Sequence, residues 1–280
     1  MSVARALSLA VHDPALFARK SVARLSRHLP FFPRRPVRHI RGVRFECDMA
    51  LDPRVADMYF AAYEPDEVAV LERFLGRGDT FLDIGANIGY LTAIGASLVG
   101  PSGMVHSFEP VPEYYARLDA LRTANPGHTI HTWPFAMGET AGIAEIATPV
   151  EHNIGWNTMV PGLLEGAATR ARHTVRVQRL DAFLREQGIA NVGLIKIDTE
   201  GFEIPVLRGG RAWFETARPR PSILCEVAPA AYAFLGLTLD DLYGYLASIG
   251  YGVCEIGPRG RRVAPGDIRG TTNLLFVADR

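Results

Sequence analysis

The chain is short of cysteine. Its three thiols in 280 residues, Cys47, Cys225 and Cys254, show no CxxC spacing. An odd, sparse set argues against a disulfide framework or a zinc ribbon, and its plain setting is a reducing, cytoplasmic compartment. Net charge is absent as well. The 30 Lys and Arg balance 30 Asp and Glu, so nothing in the total points to a nucleic-acid partner. No apolar run approaches the roughly 20 residues of a membrane span. The opening "MSVARALSLAVHDP" has one Arg, an acid at Asp13 and a poor cleavage site, which is not the pattern of a secretory signal. Internal repeats and low-complexity tracts are missing too.

The charges that are present are unevenly placed. The first 45 residues hold ten Lys and Arg against a single acid, Asp13. Within them, Phe17, Val22, Leu25 and Leu29 recur near helical spacing, with Arg19, Lys20, Arg24 and Arg27 between. This predicts a basic amphipathic helix, broken by "FFPRRP". It reads either as a contact for a membrane surface or an anionic partner, or as a helix packed on the domain with its charges solvated. Residues 1–38 are therefore expected to be an extension. Residues 39–280 form the main domain, with a hairpin and helix over 39–75 and a core over 76–280.

Beyond the extension, "HIRGVRFECDM" alternates like a hairpin bent at Gly42. Short apolar strands then alternate with helices: "TFLDIG", "MVHSFEP", "TIHTWPFAM", "NVGLIKID" and "PSILCEVAP" as strands, with helices such as "YLTAIGASLV", "PEYYARLDALRTA" and "VLRGGRAWFETA" among them. That order means an α/β fold with a mostly parallel sheet and helices on both faces. The last two strands, "YGVCEIG" and "TNLLFVAD", have no helix between them. They must pair as a hairpin, which leaves one antiparallel strand.

"FLDIGANIGY" is a strand, a glycine turn and a helix start. Gly85 and Gly89 free the backbone to turn and approach a ligand. The G-x-G-x-x-G of dinucleotide-binding proteins is absent, and Asp83 precedes the first glycine. A carboxylate there repels a pyrophosphate and suits a cationic ligand. Glu109, twenty residues after Gly89, ends the second strand, where an acid can accept both ribose hydroxyls. An adenosine with a cationic amino-acid tail, S-adenosylmethionine, fits the combination of Asp83, Gly85, Asn87, Gly89 and Glu109. The competing reading is a tight turn whose Asp caps the helix.

A second stretch, "IKIDTEG", carries Lys196, Asp198 and Glu200 out of an apolar strand. Together, "FLDIGANIGY", "FEP" and "LIKIDTEGFEIPVLRG" resemble the FkbM-type family of S-adenosylmethionine-dependent methyltransferases, over about residues 60 to 278. The resemblance implies a Rossmann-like seven-stranded sheet and O-methylation of sugars, glycolipids or polyketide-like natural products. It also implies places near the cofactor for Tyr63 and Glu64, in "YEPDE", which reads equally as a helix start with acids in its first turn, and for Pro110, in "FEP".

In an open parallel sheet, ligands sit outside the carboxyl ends of the strands. Asp83, Glu109, Asp198 and Glu226 all fall at that edge. Three readings of Asp198 and Glu200 stand. One is a general base with an acceptor-orienting partner, and Asp198 is counted with the cofactor residues too. Another is a structural ion pair with Lys196. The last is a divalent cation held by oxygen ligands, ranked lowest and not expected. His128 and His131 read as surface or core histidines. The loop "EHNIGWNTMV", with His152, Asn153, Trp156 and Asn157, suits a sugar or ring-shaped acceptor or a packed Trp. The expected activity is methyl transfer to a hydroxyl of a sugar-containing, glycolipid or secondary-metabolite acceptor. The alternatives are a nicotinamide-dependent oxidoreductase, which calls for the missing glycine turn, and a non-catalytic adenosyl-binding module docking through the basic helix.

Overall fold

A computed structural model describes residues 3–149, 156–164, 169–255, 266, 268 and 270–278. The chain divides into two compact units, residues 1–65 and 66–280. The sequence division at residue 38 falls inside the first unit.

The first unit holds helices Val3–His12, Pro14–Ser26 and Arg54–Tyr59 and a two-stranded hairpin, Val37–Ile40 with Val43–Glu46. Ile40 pairs with Val43, so the turn is Arg41–Gly42. Both residues have positive φ, 46° and 97°, the backbone that a two-residue turn between twisted strands requires. Asp13 caps the second helix by accepting the Leu16 amide at 2.8 Å.

The second unit is built on a seven-stranded sheet. In chain order its strands are β1 (Thr80–Ile84), β2 (Met104–Phe108), β3 (Thr129–Trp133), β4 (Leu194–Ile197), β5 (Ser222–Val227), β6 (Tyr251–Glu255) and β7 (Thr272–Ala278). Their order across the sheet is β6-β7-β5-β4-β1-β2-β3. The central pairs are parallel, and β7 runs antiparallel to both its neighbours. The fold is thus the expected α/β sheet with one antiparallel strand, which lies between β5 and β6. Every residue of β4 is buried, as a strand covered on both faces requires. Leu82, Ile84, Phe108, Ile195, Ile197, Ile223 and Phe276 contribute to the core.

Two elements differ from the sequence expectation. "TIHTWPFAM" is not one strand: it breaks after Trp133, and Ala136–Met137 pairs with Thr169–Gln178 in a separate three-stranded sheet completed by Gly142–Pro149. Pro134 sits at the break and has no N–H for a ladder. "VLRGGRAWFETA" forms two short helices, Glu203–Gly209 and Arg211–Thr216. A Cβ on Gly209 would lie 2.1 Å from the Gly138 carbonyl oxygen, so the helix closes on the small sheet only because that residue is glycine.

Candidate active site

The carboxyl ends of β1, β2, β4 and β5 carry the polar residues. Strands β1 and β4 are adjacent and parallel, which sets Asp83 directly opposite Lys196. The Lys196 ammonium is almost wholly buried. It donates to the Gly85 carbonyl at 2.9 Å and pairs with Asp198 Oδ2 at 3.1 Å and Asp83 Oδ1 at 3.8 Å. One cation therefore ties the glycine loop to the end of β4. Asp83 is fully buried, and its Oδ2 accepts the Thr92 hydroxyl at 2.6 Å. Burial raises its pKa, opposed by Lys196 and Thr92.

The loop from Gly85 to Gly89 is held from both sides. The amides of Gly85 and Ala86 both donate to the Phe108 carbonyl, at 3.0 and 2.9 Å. Gly85 has φ 79°, and a Cβ on it would lie 1.8 Å from the Asp198 carbonyl oxygen. Gly89, at φ 87°, faces the side chains of Leu121 and Leu118, which a Cβ would meet at 2.7 and 2.9 Å. Its role is to seat the helix Tyr90–Val99 against the helix Pro112–Thr123. Asn87 takes a left-handed backbone (φ 52°) and turns its side-chain oxygen onto the Ile88 amide at 2.7 Å.

Glu109 follows β2 and is buried. Its Oε2 accepts the Asn87 amide at 2.9 Å and its Oε1 the Val111 amide at 2.8 Å. Burial pushes its pKa up to about 7, against these two hydrogen bonds and the charge of Lys196. Pro110, between the two, is half-buried.

The turn after β4 is fixed by Glu203, a fully buried carboxylate. Its Oε1 accepts from the Thr199 amide at 3.1 Å, the Thr199 hydroxyl at 3.0 Å and the Gly201 amide at 2.9 Å. Glu200 is held with left-handed backbone (φ 51°), and its carbonyl accepts the Thr158 hydroxyl at 2.8 Å. Asp198 and Glu200 then meet Glu226 from the end of β5, each bringing a carboxylate oxygen within 4.8 Å of the others. Burial first, and then the charges of Asp198, Glu200 and Glu203, push Glu226 up to about 11. Glu226 thus holds its proton at neutral pH. Beside this group, Asn273 of β7 donates to Glu67 of the helix Pro65–Phe74, and burial raises the pKa of Glu67.

The structure brings Asp83, Gly85, Asn87, Glu109, Asp198 and Glu200 together at one sheet edge. Asp83 belongs to the buried layer beneath Lys196 rather than to an exposed surface, and Gly89 packs between helices. Tyr63 and Glu64 lie in the first unit, Glu64 with φ 44°. In the loop "EHNIGWNTMV", His152 and Asn153 lie outside the described residues, and Trp156 is 49% exposed, two residues before Thr158. His131 stacks on His106 with ring centroids 4.8 Å apart, away from this group. Glu203 and Thr158 escape a reading of the sequence. Only the acid of "GFEIP", lodged at the head of an apolar segment, hints at the first.

The family model for the methyltransferase FkbM domain matches residues 83–253, from Asp83 through the IKIDTEG turn into β6. The chain belongs to the FkbM methyltransferase family. It is 30% identical over 166 residues to the 31-O-demethyl-FK506 methyltransferase FkbM of Streptomyces tacrolimicus, covering 48% of this chain and 60% of that relative. Among solved structures, the methyltransferase FkbM from Methylobacillus flagellatus KT aligns over 97% of this chain and 60% of that one, at 16% identity and TM-score 0.46. M. jannaschii TYW2 in complex with AdoMet aligns over 89% and 87%, at 14% identity and TM-score 0.45.

The residues at this edge fit S-adenosylmethionine, the methyl donor that the sequence motifs imply. A carboxylate offers about four acceptor sites, and the two backbone hydrogen bonds to Glu109 leave one on each oxygen, enough for a ribose diol. The rest of the edge is carboxylate-rich with a single buried cation already paired, a donor set that favours a positively charged ligand. Bound there, the cofactor supplies an electrophilic methyl group.

Proposed function

We propose that this methyltransferase acts on oxygen, transferring a methyl group to a hydroxyl of a sugar-containing, glycolipid or secondary-metabolite acceptor. The observation that carries the reading is the Asp198–Glu200–Glu226 group beside the Gly85 loop. A hydroxyl must lose its proton as it is methylated, and a carboxylate within hydrogen-bond reach takes it. Asp198 serves that role best, because Lys196 holds its carboxylate in one orientation while the side chain stays 27% exposed. Glu200, set by the Thr158 and Glu203 contacts, orients the acceptor, and protonated Glu226 adds no further negative charge to the group. Gly85 and Asn87 shape the amino-acid end of the cofactor site, Glu109 and Pro110 the ribose end. Asp83 acts through Lys196.

The relative from Streptomyces tacrolimicus is named for methylation at an oxygen, which supports the same choice of atom. The exposed Trp156 suits a ring-shaped acceptor. Cys47 and Cys225 are free and buried, which supports a reducing, cytoplasmic setting. Among the described residues no helix is long and apolar enough to cross a membrane.

The test is a transfer screen with methyl-labelled cofactor over glycan, glycolipid and natural-product hydroxyls, with and without EDTA. Label in an ether that survives mild base supports the reading. Label found only on nitrogen or carbon overturns it, and loss of turnover with EDTA hands the role of the acidic group to a metal.

A further inference from the structure

The amphipathic segment at the start of the chain does not bury the stripe its sequence advertises. Helix Pro14–Ser26 packs on helix Arg54–Tyr59 within the first unit, and the residues it buries are Leu16, Ala23 and Ser26. Val22 and Leu25, with Leu29 in the turn that continues the helix, are exposed. Hydrogen bonds from the His28 amide to the Leu25 carbonyl and from the Leu29 amide to the Ser26 carbonyl carry the helical path on to Leu29. The three residues recur at i, i+3 and i+7 and so share one face. Val11, 76% exposed, and Phe31, 94% exposed, flank them in sequence. Among the described residues, five of the eight exposed large hydrophobic side chains fall between positions 11 and 31. This concentration is more than the scatter of single apolar residues found on any surface.

The same segment is the basic part of the chain. Arg19, Arg24, Arg27 and His28 are exposed on this helix and turn, and Arg34 and Arg35 follow. The acid within it, Asp13, is spent as a helix cap. Apolar side chains and cations exposed on one short helix match the interface of an anionic bilayer, where the apolar face enters the headgroup boundary and the long basic side chains reach the phosphates. A nucleic acid would answer the charge but offer no apolar phase for Leu25 and Phe31.

We propose that the face formed by Val22, Leu25 and Leu29, with its surrounding arginines, docks on an anionic lipid bilayer surface. The proposal rests on the first unit alone and stands apart from the choice of acceptor.

The experiment is co-sedimentation of the full chain with vesicles of phosphatidylcholine containing phosphatidylglycerol, and with phosphatidylcholine alone. The chain is expected to pellet with the first and stay in solution with the second. Val22→Asp combined with Leu25→Asp, and separately Arg19→Glu with Arg24→Glu, should each weaken vesicle binding by at least about tenfold. Both variants should bind S-adenosylhomocysteine in calorimetry as the parent does, which shows that they are folded. The proposal is overturned if the parent chain stays in solution with anionic vesicles, if it binds both vesicles equally, or if the variants bind like the parent. It is also overturned if light scattering shows a parent dimer that the aspartate variant dissociates, with no vesicle binding. That result assigns the face to a second copy of the chain.

Discussion

Lys196 stands opposite Asp83 on the neighbouring parallel strand and reaches past it to Asp198, 3.1 Å away, and to the Gly85 carbonyl, 2.9 Å away. A single buried ammonium thus joins the turns after β1 and β4.

Removing that charge while keeping its stem, as Lys196→Met, leaves Asp83 buried without its counter-ion. A broken buried pair costs roughly 3–5 kcal/mol. The loss is expected in urea unfolding at neutral pH and should shrink as the pH falls and Asp83 takes a proton. Asp83→Asn in the same background should restore part of the stability. An unchanged unfolding midpoint in Lys196→Met would contradict the pairing.

The two loop glycines should respond differently to alanine. At Gly85 the new Cβ would overlap a backbone oxygen at 1.8 Å, which no side-chain movement relieves. Gly85→Ala is expected to abolish S-adenosylhomocysteine binding in calorimetry. At Gly89 the neighbours are the methyl ends of Leu118 and Leu121, which can give way. Gly89→Ala should lower stability by about 1–3 kcal/mol and leave binding measurable.

Glu109 predicts a pH dependence. Its pKa in the folded chain is raised from 4.5 to about 7, so between those values the folded state holds more protons than the unfolded one. Its contribution to stability is present below pH 4.5 and is lost as the pH rises through about 7. Cofactor affinity runs the other way, because the ionised carboxylate is the stronger acceptor. S-adenosylhomocysteine should bind more tightly from about one unit below to about one unit above that pKa, and Glu109→Gln should flatten the profile. Equal slopes for the two proteins would remove Glu109 from the cofactor site.

Asp198→Asn should lower kcat by roughly 10²–10⁴, the range for loss of a general base, with S-adenosylhomocysteine affinity retained. A fall in affinity without a fall in kcat would move Asp198 from the acceptor to the cofactor.

Much of this was open to reading along the chain. The spacing of Lys196 and Asp198 already put them on one side of a strand, and they do pair. The Asp83 partnership was not readable, because it depends on β4 lying beside β1, a neighbour relation made across more than a hundred residues. Gly89 looked like a ligand-facing glycine because helix packing leaves no local mark to distinguish it from close approach. The Val22–Leu29 stripe carried the same difficulty: periodicity shows that a helix has an apolar face but not what covers it. Glu203 was hidden because a carboxylate clamping its own loop looks, in sequence, like any acid at a helix start.

The place of β7 bears on how the molecule is made. It is the last strand of the sheet along the chain, yet it fills the gap between β5 and β6. While residues 272–278 are still within a ribosome, the hydrogen-bonding groups of Ser222–Val227 on that side face no partner, and such an edge invites pairing with another chain. Closure waits for a long-range contact, the slow kind in folding. The nascent protein therefore stays exposed to aggregation until residues 272–278 emerge, and a chaperone that shields an open strand would be most useful in that interval.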